Sequence, residues 1–224
     1  MSITSASTRK QTTDPITVAD RIRKAILDGD FSPNQRMVEA DLCEQFQASR
    51  GAVRAALIDL TNQGLIERIQ NRGARVRSVS LAEAIEITEI RMVVEGLCAE
   101  KAAENITEDQ IVELKKMREA MITAVDAGDV FGYSDLHQQL HRRIRQISGQ
   151  GTADSILDRL NAQMVRHRFK LVMHPGRVEV SLPEHVAIID AVCAREPDLA
   201  ETVMRDHLRS VIGGLRAVAA ASST

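Results

Sequence analysis

Apolar residues recur at helical spacing along nearly all of this 224-residue chain. In the first third, this spacing predicts a helix over residues 16–27. Leu42 and Phe46, four positions apart, indicate a second, shorter helix. A third helix is predicted from a stripe of three apolar residues (Val53, Leu57 and Leu60). The N-terminal part of the chain therefore begins with three short amphipathic helices.

A capping residue and a turn sequence complete the pattern of the N-terminal part. The third helix is predicted to begin at Ser49, whose hydroxyl can cap free backbone N–H groups. β-Branched residues before and after a Gln-Asn-Arg-Gly turn at residues 70–73 predict a β-hairpin. Two short helices followed by a hairpin are the pattern of a winged helix-turn-helix. Such a unit places its second helix in the DNA major groove and its wing beside the DNA backbone.

A domain boundary is predicted at Ser80-Leu-Ala-Glu83, which has the form of a capping box and starts a new helix. We expect a disordered arm at residues 1–14, a DNA-binding domain at residues 15–78 and a second domain at residues 79–224. No strand pattern interrupts the second domain, so we expect an all-α bundle. Its predicted helices, about six in number, cover residues 81–104, 107–128, 129–148, 152–173, 177–194 and 197–219. The expected fold class is therefore mostly α, a winged helix-turn-helix followed by a helical bundle.

Composition narrows the class of protein. Aromatic residues make up 2% of the chain and Trp is absent, which favours helices packed with aliphatic side chains. Few rings are available for stacking on bases, so single-stranded nucleic acid is not the expected main partner. The three cysteines are far apart and form no CxxC motif, which disfavours a cysteine zinc site. No apolar stretch has the length of a membrane span, so we expect a soluble, cytoplasmic protein without a membrane partner.

Charge is distributed unevenly along the chain. Six arginines and two acidic residues lie between Arg50 and Arg77, whereas the whole chain carries a net charge of −2. A run of charged residues by itself most often forms a solvent-exposed face of the protein. Together with the helix-turn-helix spacing and the glycine of the wing, it indicates contact with DNA phosphates.

The six histidines all lie after residue 136. His137 and His141 are four positions apart on one predicted helix, so both rings project from the same face. With His185 and His207 on other helices, they could form a metal site in the core of the bundle. The alternative is that these histidines are surface residues or hydrogen-bonded core residues. His167 has no partner at ligand spacing and is better explained as a structural or pocket-lining residue.

Several motifs between about residues 16 and 215 agree with one known family. In the N-terminal half they are Ile22-Arg23-x-x-Ile26-Leu27-x-Gly29, Pro33-x-x-Arg36, Glu39-x-x-Leu42, Ser49-Arg50-x-x-Val53-Arg54-x-Ala56-Leu57, and Gly64-Leu65 with Gly73. In the C-terminal half they are Arg91-x-x-x-Glu95, Leu140-His141 followed by Ser148-Gly149, Glu184-His185 and Asp206-His207-Leu208. On these motifs, the chain resembles the GntR superfamily of bacterial transcription regulators. The nearest resemblance is to the FadR branch, with an FCD-type, VanR-like effector domain.

The resemblance implies a set of DNA-binding residues. They are Ser49, Arg50, Arg54, Arg72 and Gly73. Arg50 is expected to reach a guanine edge, whereas Arg54 positions phosphates or flanking bases. The alternative for Arg54 is a salt bridge with Asp59 or Asp41. The wing tip is expected to lie in or near the minor groove.

The resemblance also implies a divalent metal bound inside the bundle by His137, His141, His185 and His207. His137 stands where the family usually has Asp, so the set contains four nitrogens and no carboxylate. Nitrogen-rich sites favour Zn, Ni or Cu over Mg or Mn, and zinc is the expected ion. The alternative is that His141, His185 and His207 alone bind, and that solvent or an effector oxygen completes the coordination.

A small carboxylate is the expected effector. Arg91 could clamp a carboxylate bidentately, and Arg168 and His167 are the other candidate contacts. For each arginine, a surface ion pair is the alternative. The expected protein is a homodimeric repressor of a catabolic operon, which binds a palindromic operator in double-stranded DNA and is not an enzyme.

Two alternative functions remain at this point. The first is a metal-sensing regulator, in which the ion itself is the signal. The second is a metal-dependent hydrolase. It is disfavoured because no Glu lies in an HExxH-like frame and because hydrolysis gives no reason for an attached DNA-binding domain.

Overall fold

The computed structural model describes residues 17–69 and 73–221. The chain divides into two compact units, with the boundary between Arg77 and Ser78. The arm expected at residues 1–14 lies outside the described residues, and so does Arg72 at the expected wing tip.

The first unit is built from short elements around one small sheet. Its elements are α1 (Val18–Asp28), β1 (Arg36–Met37), α2 (Glu39–Gln45), α3 (Arg50–Asn62), β2 (Ile66–Ile69) and β3 (Gly73–Val76). The strands pair antiparallel in the order β1-β3-β2. β2 and β3 form the predicted hairpin, and the winged helix-turn-helix is confirmed.

Local sequence signals explain where these helices begin and end. Thr17 and Asp20 form a reciprocal capping box at the start of α1. Gly29 ends α1 with a φ of 93°, a left-handed conformation that favours glycine. Ser49 caps α3 as predicted, because its hydroxyl accepts a hydrogen bond from the Ala52 N–H at 3.3 Å. The predicted apolar stripes are buried and form the core of the unit (Leu42, Phe46, Val53, Leu57 and Leu60).

The second unit is helical throughout its described residues. Its helices are α4 (Leu81–Asn105), α5 (Glu108–Asp126), α6 (Val130–Ser148), α7 (Gly151–Gln163), α8 (Val165–Val172), α9 (Arg177–Cys193) and α10 (Pro197–Ala221). The helix predicted over residues 152–173 is two helices, α7 and α8, which meet at Met164. Met164 is buried in an apolar cluster with Ala84, Ile87 and Leu215. The periodicity of the sequence does not show this break, because the residues on both sides have helical spacing.

The core of the second unit contains buried polar and charged side chains as well as apolar ones. α4 packs along α10 and α6, and α9 packs on α10. Most of the buried side chains are aliphatic, and burial of each large one stabilises the fold by about 1.5–3 kcal/mol. Glu95, His141, His185 and His207 are buried among them. Buried polar groups cost free energy unless they are paired, so each of these four side chains is expected to have a hydrogen-bond or ion-pair partner.

None of the described helices is both long enough and apolar enough to cross a bilayer.

Candidate metal centre and DNA-binding surface

Four imidazole rings converge in the interior of the second unit. α6 supplies His137 and His141, α9 supplies His185 and α10 supplies His207. One potential ligand atom from each residue lies within 4.8 Å of the others. We call these four residues the histidine cluster. The structure thus brings all four predicted ligands together.

Two of the histidines are oriented by carboxylates. His141 Nδ1 lies 2.5 Å from Glu95 Oε2, and His207 Nδ1 lies 2.8 Å from Glu184 Oε2. If each Nδ1–H donates to its carboxylate, Nε2 is left as a lone pair available to a metal. Neither glutamate was predicted as a site residue. Glu95 interrupts an otherwise apolar helical stretch and Glu184 adjoins a histidine, and these were the available signals.

His185 is oriented by hydroxyl groups instead of a carboxylate. Its Nδ1 lies 2.9 Å from the Tyr133 hydroxyl and 3.2 Å from Ser181 Oγ. Tyr133 in turn donates its O–H to Ser181 Oγ at 2.9 Å. Burial raises the pKa of Tyr133 to about 12, so it remains a neutral phenol. This arrangement directs His185 Nε2 towards His141 Nε2, at a distance of 3.3 Å.

His137 is held differently from the other three. Among the described residues it forms no hydrogen bond, and its ring packs 4.8 Å from His141 and 4.9 Å from His185 between centroids. Three histidines are therefore fixed by outer partners, whereas packing alone positions the fourth. Both predicted alternatives, four imidazole ligands or three plus another oxygen donor, are compatible with this geometry.

The chemistry of the cluster fits a divalent transition metal. Burial, together with the neighbouring histidines, lowers the pKa of His137, His185 and His207 well below the ordinary value, so these rings are neutral at physiological pH. Neutral imidazole is the form that binds metals. Zinc–nitrogen bonds of about 2.0–2.1 Å in a tetrahedron place ligand atoms about 3.3–3.4 Å apart. The distance between His141 Nε2 and His185 Nε2 matches this value.

Arg91 supports the cluster from outside. Its Nη2 lies 2.7 Å from Glu95 Oε1, and only 12% of its side chain is exposed. Burial alone would raise the pKa of Glu95, but Arg91 and His141 outweigh it and lower the pKa below its ordinary value. Arg91 is therefore a largely buried partner of the carboxylate that orients His141; it does form an ion pair, but in the interior and not at the surface.

A cavity adjoins the histidine cluster and has an empty volume of about 600 Å³, its open mouth included. We call it the arginine-lined cavity. Its wall is formed by Arg91, Tyr133, His137, Met164, Arg168, Leu171, Val172, Arg177, Val178, Ser181, His207, Val211 and Leu215. Two of the histidines therefore contribute to both the cluster and the cavity wall.

The three cavity arginines differ in their partners. Arg91 pairs with Glu95, and Arg177 pairs with Glu184 at 3.2 Å. Arg168, within the described part of the chain, forms neither a hydrogen bond nor an ion pair. Burial, with a contribution from Arg91, lowers the pKa of Arg168 to about 10, so it remains charged at neutral pH.

The structure places His167 away from this wall. His167 Nε2 lies 2.8 Å from the backbone carbonyl oxygen of Val79. Val79 is the second residue after the boundary between the two units. His167 therefore contacts the start of the second unit, and we do not retain it as an effector contact.

The described members of the expected DNA-binding set lie in the first part of α3 and at the start of β3. Arg50 is the first residue of α3 and is exposed. Arg54 Nε lies 2.8 Å from Glu39 Oε2, so the salt-bridge partner predicted for it, Asp59 or Asp41, is wrong. Gly73 begins β3 with a φ of 86°.

One further basic residue of the hairpin was missed by the sequence reasoning. Arg68 on β2 is exposed and, like Arg50, has no ion-pair partner among the described residues. Arg75, by contrast, pairs with Glu67 at 2.5 Å. Within the described part of this surface, Arg50 and Arg68 are therefore two arginines that could contact phosphates without breaking an ion pair.

Comparisons with known proteins agree with both units. The model of the FCD domain matches residues 86–210, and the model described as "Bacterial regulatory proteins, gntR family" matches residues 16–76. The chain is 27% identical over 197 residues to the HTH-type transcriptional repressor RspR of Escherichia coli (strain K12), covering 88% of this chain and 86% of that protein. It is 28% identical over 224 residues to the HTH-type transcriptional repressor NanR of Klebsiella aerogenes, covering 90% and 85%. It is also 27% identical over 217 residues to the Glc operon transcriptional activator of Escherichia coli (strain K12), covering 87% and 85%.

Solved structures share the same fold. Escherichia coli McbR/YncC superposes with a TM-score of 0.75 at 20% sequence identity, covering 89% of this chain and 95% of that one. A GntR regulator from Rhodococcus sp. RHA1 superposes with a TM-score of 0.68 at 22% identity, covering 89% and 96%. The matched families and relatives are transcription regulators and not enzymes, which removes the hydrolase alternative. This chain belongs to the GntR family of bacterial transcription regulators and combines a winged helix-turn-helix DNA-binding domain with an FCD domain.

Proposed function

We propose that the protein is a cytoplasmic, homodimeric repressor whose binding to a palindromic operator is controlled by a small carboxylate effector. The effector binds in the arginine-lined cavity, next to a divalent metal held by the histidine cluster, most suitably zinc. One observation carries this proposal. The histidine cluster, with three oriented imidazoles, adjoins through His137 and His207 the same cavity that Arg168 lines, and Arg168 has no hydrogen-bond or ion-pair partner among the described residues.

The metal part of the proposal rests on the orientation of the ligands. His141, His185 and His207 each have Nδ1 engaged by an outer partner, which is the usual arrangement around metal-binding imidazoles. A bound divalent ion would add a positive charge and a coordination position to the cavity. His137 would serve as the fourth ligand, or would yield that position to an oxygen.

The effector part rests on Arg168. Arg168 is partly buried in the cavity wall and has no hydrogen-bond or ion-pair partner among the described residues, and an effector carboxylate would supply charge-assisted hydrogen bonds to it. Arg91 holds Glu95 and through it orients His141. Arg91 is therefore proposed as a positioning residue for the cluster, with Arg168 as the direct contact.

The route to the DNA-binding domain is proposed to run through α8. This helix carries Arg168 at the cavity and, one residue earlier, His167 at the Val79 carbonyl. Leu215, Val211 and Met164 line the cavity and also pack in the cluster to which Val79 belongs. A shift of α8 on effector binding would therefore displace the chain close to the boundary between the units. This is a coupling between two distinct sites.

DNA contact is proposed at the start of α3. Arg50 would read a guanine edge and Ser49 would hold the helix start, with Arg54, Arg68 and the wing contacting phosphates. A single winged helix makes few contacts, and proteins with two-fold symmetry read palindromic half-sites. A second copy would cover the exposed apolar face of α4, formed by Ile90, Val93 and Leu97.

The experiment begins with protein purified without chelator and an operator selected from random DNA by the protein itself. Elemental analysis should find about one metal ion per chain, and a carboxylic acid should change operator affinity. The metal-sensing alternative is favoured by the four nitrogen donors, which could complete a shell without any effector. In that case, addition and removal of metal alone would switch operator binding, and no acid would have a further effect.

A further inference from the structure

We infer that the effector is a monocarboxylic acid with an apolar body, such as a short-chain fatty acid or a benzoate-type acid, and not a polyhydroxylated or multiply charged acid. This inference rests on the proposed function, in which the arginine-lined cavity binds a carboxylate. It is carried by the identity and the existing partners of the residues in the cavity wall.

The charges of the wall call for one carboxylate. Glu95 already neutralises Arg91, and Glu184 already neutralises Arg177. Arg168 is the cavity arginine that lacks an anionic partner among the described residues. One carboxylate satisfies it. With His137 as the fourth metal ligand, no coordination position is left for a second or third carboxylate, which would lose its hydration without gaining an arginine that is not already paired.

The remaining wall is apolar. Six aliphatic or thioether side chains contribute to it: Met164, Leu171, Val172, Val178, Val211 and Leu215. Among the described residues of the wall, Tyr133 and Ser181 carry the hydroxyl groups, and these hydrogen-bond to each other and to His185. The aliphatic part of the wall would therefore offer no hydrogen-bond partner to the hydroxyls of a sugar acid, whereas an alkyl chain or an aromatic ring would bury apolar surface there.

The polar and apolar parts of the wall are separate. The arginines lie close enough to the histidines to lower their pKa values. Met164, Val211 and Leu215 instead belong to one apolar cluster with Val79 and Leu81. An acid would accordingly place its carboxylate at Arg168, beside the histidines, and direct its body towards the aliphatic side chains.

The apolar part is held in shape by a close contact between α8 and α10. A Cβ atom added at Gly214 would lie 2.5 Å from Leu171 Cδ1, so Leu171 would have to shift. A Cβ atom added at the preceding Gly213 would meet nothing within 4 Å. Gly214→Ala is thus a perturbation of the apolar wall, and Gly213→Ala is its matched control.

The test is isothermal titration calorimetry of the full-length, metal-loaded protein with acetate, hexanoate, benzoate, gluconate and tricarballylate. Hexanoate and benzoate should bind at least about tenfold more tightly than acetate, gluconate and tricarballylate. Arg168→Gln should weaken binding of hexanoate and acetate alike. Gly214→Ala should weaken hexanoate while leaving acetate unchanged, and Gly213→Ala should behave as the wild type.

The possible results distinguish failure of this inference from failure of the proposed carboxylate site. Gluconate or tricarballylate binding as tightly as hexanoate would overturn the inference and leave the carboxylate site in place. An unchanged hexanoate affinity in Gly214→Ala, measured on folded protein, would also count against an apolar body in this part of the wall. If none of the five acids binds, the proposed carboxylate site fails, and the inference falls with it.

Discussion

Replacement of His185 by Ala tests the metal centre most sharply. His185 is fully buried, its Nε2 lies 3.3 Å from His141 Nε2, and its Nδ1 is held by Tyr133 and Ser181. The substitution removes one of three oriented ligands. A metal that binds the folded arrangement stabilises it, so the variant should lose both the ion and the stability that the ion provides.

The expected magnitude follows from mass action. A ligand present at a hundredfold excess over its dissociation constant stabilises the folded state by about 2.7 kcal/mol. For a chain of this size, each kcal/mol shifts the melting temperature by about 2–4 °C. Chelation with EDTA should therefore lower the melting temperature of the wild type by about 5–10 °C. In His185→Ala the difference between melting with and without EDTA should vanish, whatever the absolute melting temperature of the variant.

The assay is differential scanning calorimetry with and without EDTA, combined with elemental analysis of each sample. His174→Ala is the control, because His174 lies in the turn before α9 and contacts the Pro175 carbonyl oxygen instead of the cluster. It should retain both the metal and the EDTA effect. Wild-type protein that contains no metal and melts identically with EDTA would refute the reasoning, and so would an undiminished EDTA effect in His185→Ala.

Three further predictions concern the other parts of the proposal. Arg50→Ala should weaken specific operator binding by about 1–3 kcal/mol in a gel-shift titration at fixed salt, without changing the melting temperature. An unchanged affinity would remove Arg50 from base recognition. His167→Ala should bind the acid normally in calorimetry but should lose the effect of the acid on operator affinity, because the hydrogen bond to Val79 is gone. A retained effect would exclude this route. Light scattering should give about twice the chain mass of 24.7 kDa, and Val93→Glu should lower it towards a monomer; a wild-type mass near 24.7 kDa would contradict the dimer.

Local signals in the sequence were sufficient for most of the fold. The Ser49 cap, the helix start at Ser80 and the turn glycine at Gly29 depend on residues within a few positions of each other. Periodicity located the helices for the same reason. The break at Met164 was missed, because burial of Met164 against α10 and α4 is a tertiary contact that leaves the helical spacing of the sequence unchanged.

The candidate site was predictable only in part. The i, i+4 spacing placed His137 and His141 on one face of a helix, which is a local property. The outer partners depend on how helices pack, since Glu95 on α4 reaches His141 on α6 and Tyr133 on α6 reaches His185 on α9. The spacing of residues along the sequence does not show which helices pack against each other.

The same reason explains why the ion pairs of Arg54 and Arg91 differ from the sequence-based alternatives. The Arg54 partner was sought near it in sequence, at Asp59, or on α2 at Asp41. The structure instead pairs Arg54 with Glu39, in the first turn of α2. The relative placement of two helices decides which carboxylate is near. For Arg91 the sequence spacing to Glu95 was visible, but the burial of the pair was not.

The measurement that tests the central claim most directly is operator affinity of the metal-loaded protein with and without a bound acid. Fluorescence anisotropy with the selected operator would be recorded at fixed salt, using the acid of the calorimetric series that binds most tightly at saturating concentration. Allosteric coupling of typical strength predicts a weakening of operator binding by about 5- to 150-fold, and Arg168→Gln should remove this change. An operator affinity that is unchanged while the acid is shown to be bound would contradict the claim that this cavity controls DNA binding.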